Sequence, residues 1–482
     1  MNLVLDPLKA IFEFIFPVKK NELKKFFLLS ILMFGILYIH ATLRSLKDTI
    51  IVPNIGAEAL SFIDLYLVLP FAILFTLVYT KISNIIPSEK IFYIIKFFFL
   101  TFFVAYCFLI YPNIHHLHPD PEHIENLVAL NPKLKWLIKI YGKWTFALFG
   151  ILVELWGPTV TVLMFWQFAN RITTSEEARR IYPTLALLGN FALILAGSVV
   201  KDSAKHAKNV IVYNLGVVIG AIIFNIVIYF IANKLLASHK RQLPPKSNIS
   251  VFKSLKVIMS SPYLLYIFLM VVAYGTINNM IEIQWKANIR EVYSDQNSYA
   301  KFFGGFTQYM GYSSIIIMLF SSQILRRFSW RAAALATPIV IAVTSFFFFL
   351  ALLNKDALEP WAYENFGISA SKLIVIIGMC QVILMKANKY ALFDSTKEMA
   401  FIAADEDIKT KGKAAVDVVG MRLSDTTGAA IQSFLLWFFP SALTFGMTFS
   451  IAIIAFIIVI LWIYAVNNLS GMYTRLVKSK AE

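Results

Sequence analysis

NKLLASHKRQLPPKSNISVFKSLK, residues 233–256, is the strongest basic block in a chain that is otherwise mostly apolar. It is polar, broken by Pro244 and Pro245, and contains no run able to cross a bilayer. Apolar runs of roughly twenty residues can span a hydrocarbon core as helices. Six such stretches precede the block, near 26–43, 60–79, 91–111, 145–166, 181–200 and 210–232. Six follow it, near 263–283, 302–325, 332–353, 371–392, 426–445 and 447–466. The composition agrees, with 59% hydrophobic and only 15% charged residues, where a soluble chain carries about a quarter charged. The expected fold is therefore all-α and polytopic, with about 12 transmembrane helices in two six-helix bundles. The expected division is an N-terminal segment 1–25, a first bundle 26–232, a central loop 233–262, a second bundle 263–466 and a tail 467–482.

Six plus six spans around a basic loop is a major-facilitator-like outline, in which two bundles rock around a site at mid-membrane. The net charge of +16 could point to nucleic acid, but the basic residues sort by side of the membrane. With cytoplasmic termini, roughly twice as many Lys and Arg fall on cytoplasmic segments as on the opposite face. The charge reports orientation, and no nucleic-acid partner is expected. Acids and a proline interrupt the apolar part of MNLVLDPLKAIFEFIFPVKK, so no removable secretory signal is expected. Cys107 and Cys380 fall inside predicted spans without metal-ligand spacing, giving neither a disulfide framework nor a metal site.

Charge inside the spans is more telling. The first span runs into IHATLRSLKDTIIVPN, whose spacing puts Arg44, Lys47 and Asp48 on one helical face. ILVELWGPTV sets Glu154 in the fourth span, INNMIEIQWKANIR sets Glu282 and Lys286 four apart in the seventh, and VILMKANKYALFDSTKEMA carries Lys386, Lys389, Asp394 and Lys397 in the tenth. Spans one, four, seven and ten are equivalent if each half repeats a three-helix unit, and they are the helices that would line a central cavity. An intramembrane charge costs at least about 2.5 kcal/mol, so it faces a wet cavity or a partner. Salt bridges that only clamp helices are the alternative role for these groups.

LRSLKDTIIV, VELWGPTVTVLMFWQFANRITTSEEARRIYP, VVAYGTINNMIEIQWK and KYALFDSTKEMAFIAADEDIKTKGKAAVDVVGMRL closely resemble the ATP/ADP translocase family of obligate intracellular bacteria and plant plastids. The resemblance covers residues 20–470. It implies a nucleotide exchanger in which Lys47, Glu154 and Glu282 are charged residues needed for transport. One stretch departs from the family: RLSDTTGAA, residues 422–430, puts Asp425 where members that exchange ATP for ADP carry a basic residue, and it lacks two of their glycines. A polyphosphate calls for Lys and Arg donors, with interleaved carboxylates to recover those cations on release. The base calls for an aromatic slot, and Trp156, Phe165, Trp166 and Tyr274 lie close in sequence to the charges.

Weaker features complete the reading. The histidines of YPNIHHLHPDPEHIENL, His115, His116, His118 and His123, have no regular ligand spacing. GVVIG, residues 216–220, is a small-xxx-small pattern suited to close helix packing. EEARR and DEDIKTK read as solvated loop charges. No Walker lysine loop, HExxH or GxSxG is present, so an integral-membrane enzyme finds no catalytic constellation. The expectation is a monomeric inner-membrane transporter exchanging ATP for ADP, with other ribonucleotides such as GTP as the runner-up, and no cofactor, metal or catalytic residue. Its substrate-binding set would be Arg44, Lys47, Asp48, Glu154, Glu282, Lys286, Lys389, Asp394 and Lys397.

Overall fold

A computed structural model describes residues 18–83, 85–236, 256–405, 408 and 412–479. The bulk of the expected N-terminal segment, most of the central loop and most of DEDIKTK lie outside these residues.

Among the described residues twelve long helices carry the fold: α1 Leu23–Asn54, α2 Glu58–Ser83, α3 Glu89–Leu117, α4 Trp144–Ile172, α5 Ser175–His206, α6 Val210–Leu235, α7 Pro262–Val292, α8 Gln296–Arg327, α9 Trp330–Leu353, α10 Ala370–Ala403, α11 413–435 and α12 Phe445–Ser479. Among the described residues there is no strand. Polar side chains set several of the starts. Thr174 caps α5 in a capping box with Glu177, Asn209 accepts from the first amides of α6, and Ser261, Asp295, Ser329 and Ser369 do the same for α7 to α10.

Ten of these helices are long and apolar enough to cross a membrane. The exceptions are α8 and α11, at the eighth and eleventh predicted positions. Each reaches across to the other half: α8 packs along α5 and α1, and α11, packed along α7 of its own half, also touches α2. The eleventh helix also lies earlier than the expected 426–445, because the chain turns at 436–444 before α12. That last helix continues through residues 467–479 of the expected tail.

Within the first half α1 packs on α4, α5 and α6; within the second, α7 packs on α10, α11 and α12. Large apolar side chains face outward on the outer helices, among them Phe97 and Phe98, Phe224 and Phe230, Phe346 and Phe347, and Ile457 and Ile460. Such a rim suits lipid contact.

The halves meet at the face opposite the termini. Arg290 donates to the Pro53 carbonyl at 3.4 Å, and Glu58 accepts from Ser441 Oγ and the Ala442 amide, both at 3.0 Å. Gly197 and Gly304 let the backbones of α5 and α8 touch: a Cβ on Gly304 would stand 2.6 Å from the Lys201 nitrogen. The expected close packing at Gly216 and Gly220 is absent, since a Cβ at either would meet open space. On the terminal face, ion pairs between described residues stay within halves, as with Lys25–Glu177 at 2.8 Å, Arg180–Glu22 and Lys397–Asp417 at 3.2 Å. EEARR is thus more than solvated charge, because Glu177 and Arg180 tie α5 to the start of the chain's first helix. The loop and helix-end contacts between the halves described here therefore lie on the face opposite the termini.

Candidate functional site

At mid-depth, α1 presents His40, Arg44, Lys47 and Asp48 to its neighbours. Glycines on α4 admit them. A Cβ on Gly150 would come within 3.0 Å of Ile51 and 3.8 Å of Lys47, and one on Gly157 within 2.7 Å of the His40 ring. The glycine of ELWG therefore makes room for a histidine, and its glutamate lies one turn away on the same face. Beyond it the helix opens into a wide π-helical stretch, Gly157–Phe165. Similar π segments carry Asp64 on α2 (Ile63–Val68), Lys389 on α10 (Lys389–Phe393) and Asp417 on α11 (Val416–Gly420). Wide turns of this kind recur at functional sites.

The charged groups form one connected network. Lys47 reaches Glu154 at 2.5 Å and Asp48 at 3.8 Å. Lys286 reaches Asp48 at 3.0 Å and Glu282 at 3.3 Å, while Glu282 also holds Lys386 at 2.6 Å and Arg44 at 3.9 Å. Four cations are thereby joined to three carboxylates. Two of the contacts, Asp48–Lys286 and Arg44–Glu282, run from α1 to α7 and so link the halves. Lys47, Asp48, Glu282 and Lys286 are buried, whereas the Arg44 side chain is 39% exposed and that of Glu154 26%. The network is thus accessible chiefly at Arg44 and Glu154 and nearly closed elsewhere.

Six of the nine residues expected at the site, Arg44, Lys47, Asp48, Glu154, Glu282 and Lys286, are gathered in this network. The other three lie apart on α10, in the pairs Lys389–Asp394 at 3.1 Å and Lys397–Asp417 at 3.2 Å. Three charged residues were missing from the expected set. Lys386 sits in the network itself. Asp64 lies within electrostatic range of Lys47, Glu154 and Asp425, and Asp425 within range of Glu154, Arg44, Glu282 and Lys389. Neither Asp64 nor Asp425 has an ion pair among the described residues. The signal for Asp64 was a lone acid in the apolar run SFIDLYLV.

The expected base slot is not built from the four aromatics near the charges. Trp156 and Phe165 are fully buried in the first half, and Trp166 packs edge-on to Tyr182 and Phe165. Tyr274 is buried in a stack with Phe393. Trp156 is fixed instead by Lys96, whose buried ammonium stands 4.5 Å over the indole and donates to Asn225 at 2.8 Å. Tyr390 is an exposed ring beside the cations, 46% exposed, with Lys389 4.6 Å from its centroid and Arg44 in electrostatic range, while Lys389 also stands 5.8 Å from the buried Tyr274 ring.

In the histidine run, the half-buried His118 packs structurally: its Nε2 pairs with Thr145 Oγ1 at 2.7 Å, and its ring meets Phe146 edge-on. Cys107 is buried and Cys380 exposed, both free thiols.

The sequence pattern of the TLC ATP/ADP transporter family matches residues 5–473. The chain is 38% identical to ADP,ATP carrier protein 3 of Rickettsia bellii, covering 97% of this chain and 98% of the relative. It is 40% identical to ADP,ATP carrier protein 1 of Rickettsia conorii, covering 98% and 97%. Two solved structures share the fold. A bacterial homologue of the iron transporter ferroportin in an inward-facing state matches with a TM-score of 0.55 at 14% identity, over 90% of this chain and 98% of that one. A D-xylose–proton symporter matches with a TM-score of 0.52 at 13% identity, over 93% and 96%. With agreement along its whole length and a transporter architecture around a charged central site, this chain belongs to the TLC ATP/ADP transporter family, as a multi-pass membrane transporter and not an enzyme.

Proposed function

We propose that this protein exchanges ATP for ADP across a bacterial inner membrane, taking up the triphosphate as a monomer with both termini in the cytoplasm. Its two halves, residues 26–232 and 263–466, rock about the central network. The observation that carries this reading is the pair of contacts from α1 to α7, Asp48–Lys286 and Arg44–Glu282, inside a network of four cations and three carboxylates. The names of the relatives supply the nucleotide pair.

The chemistry follows from the charges. The phosphates of a nucleotide are polyanionic and accept charge-assisted hydrogen bonds from Arg44, Lys47, Lys286 and Lys386. Each cation that turns to phosphate leaves Asp48, Glu154 or Glu282, so occupancy loosens the link between the halves. On release the carboxylates recover the cations, which keeps a tightly held polyanion from being trapped. An empty site stays clamped, and the halves cannot pass each other without separating the buried Asp48–Lys286 pair. Transport by such a carrier is exchange, because return of the empty protein is slow. Tyr390 supplies a ring beside the phosphate donors on which a base can stack.

Substrate identity is tested by competition. Proteoliposomes containing only this protein and loaded with ADP should take up labelled ATP, with unlabelled ATP and ADP the strongest competitors among ATP, ADP, GTP, UTP, CTP and NAD. A ranking led by GTP would replace the adenine reading with the other-ribonucleotide reading.

A further inference from the structure

The face opposite the termini carries a second cluster of cations that the central site does not use. A short helix, Lys135–Gly142, lies between α3 and α4 and packs on the start of α2. Lys135, Lys139 and Lys143 recur every four residues, so they form one stripe along this helix and its end. Trp136 anchors the helix, buried against the turn at Gly56, where φ is +137° and a Cβ would come 2.6 Å from the indole. The Lys135 and Lys139 ammoniums stand 4.8 and 5.5 Å from that ring.

Arg290, at the end of α7, completes the cluster from the other half of the molecule. All four cations are half-buried, and among the described residues none has a carboxylate within ion-pair distance. Burial, with the positive charges of Lys135 and Arg290 close by, pulls the Lys139 ammonium below the usual lysine range, and burial beside Arg290 does the same to Lys143. Glu58, an acid that favours the charged form of Lys139, already accepts two hydrogen bonds from Ser441 and Ala442. Crowded, half-desolvated cations without counter-charge favour an anion.

Two of the four also hold the closed face shut. Lys135 donates across to the Pro440 carbonyl and Arg290 across to the Pro53 carbonyl, each at 3.4 Å. These are long contacts to neutral acceptors, weaker than the charge-assisted bonds a phosphate would offer. We infer that Lys135, Lys139, Lys143 and Arg290 form a docking site for the polyphosphate of an arriving nucleotide, and that docking draws Lys135 and Arg290 off Pro440 and Pro53 and frees the outer closure. The inference rests on the exchange reading for its ligand, but its geometry is separate from the central site.

The test is sided. Lys139→Gln with Lys143→Gln removes two of the cations and leaves both closing contacts in place. In proteoliposomes the double variant should raise KM for ATP on the outer side about tenfold at low salt, with kcat and the inner-side KM unchanged. The difference should shrink with ionic strength, as expected for electrostatic capture. Lys139→Arg with Lys143→Arg should behave as the parent. An unchanged outer KM, or an equal rise on both sides, overturns the inference. Calorimetry with inorganic tripolyphosphate on the purified protein needs no transport: two binding events in the parent and one in the Gln variant support the site, and a single event in the parent refutes it. Vesicles of neutral lipid, with and without added anionic lipid, separate the two sources of phosphate. A KM difference confined to anionic vesicles would give the site to lipid headgroups and refute nucleotide docking. Failure of the parent to exchange any nucleotide, with both tripolyphosphate events present, would sink the exchange reading and leave the site.

Discussion

Asp48→Asn should convert the exchanger into a leaky carrier. Asp48 Oδ2 lies 3.0 Å from Lys286 Nζ, across the halves, with side chains only 2% and 5% exposed. At an effective dielectric of about 20, unit charges at that separation attract by about 5 kcal/mol, and desolvation offsets part of this. Breaking such a pair from one side costs about 3–5 kcal/mol. If about 3 kcal/mol of this holds the empty protein still, its removal speeds reorientation of the empty carrier about a hundredfold. The cations keep partners, since Lys286 retains Glu282 at 3.3 Å and Lys47 retains Glu154 at 2.5 Å, so the variant should reach the membrane. The assay is net uptake of labelled ATP into vesicles that contain no nucleotide. The variant should show it, and Asp48→Glu should not. Normal abundance and strict exchange in Asp48→Asn would refute the clamp.

Other perturbations read different parts of the account. Lys47→Gln removes the cation that Glu154 holds, so ATP uptake should fall at least about tenfold while membrane abundance on immunoblots stays near that of the parent. Glu282→Gln strips the carboxylate from three cations; single-turnover release should slow more than binding weakens, and intact maximal exchange with lost affinity would mark Glu282 as structural only. Asp425→Lys, combined with Ser424→Gly and Thr426→Ser, reverses a charge that faces Arg44 and Glu154; apparent affinity for ATP or ADP should rise in competition assays, and an identical ranking would place this segment outside recognition. Gly304→Val inserts a side chain where the Lys201 nitrogen would lie 2.6 Å from its Cβ; thiol labelling of Ala300→Cys, fully buried one turn earlier on α8, should become faster from the outside as the closure is propped open.

Much of this was legible in the sequence because charge in an apolar run has few physical excuses. Arg44, Lys47 and Asp48 declared a face by spacing alone, and Glu154, Glu282 and Lys286 declared themselves by their cost in hydrocarbon. What the sequence hid was whatever depended on the opposing surface. Gly216 and Gly220 have a packing pattern but meet open space, while Gly197, with no such pattern, and Gly304 bring two backbones together. Trp156 and Tyr274 neighbour the charges along the chain yet are buried, Tyr274 keeping only Lys389 at 5.8 Å, and the exposed ring beside that lysine, Tyr390, gave no separate signal. Asp64 was passed over because the hydropathy of its span absorbs one acid. The eleventh helix was displaced for a related reason: Asp417 and Asp425 lower the hydropathy of its first part and move the apolar maximum toward the turn that follows.

The exchange requirement itself is the most direct point of attack. Uptake of labelled ATP should be measured in proteoliposomes holding only the unmodified protein, in parallel with ADP inside and with buffer alone inside. A carrier whose empty site is clamped between α1 and α7 should fill the ADP-loaded vesicles and leave the buffer-filled ones near background. Equal uptake into both would contradict the account, because it would show the halves moving freely past an intact network of buried ion pairs.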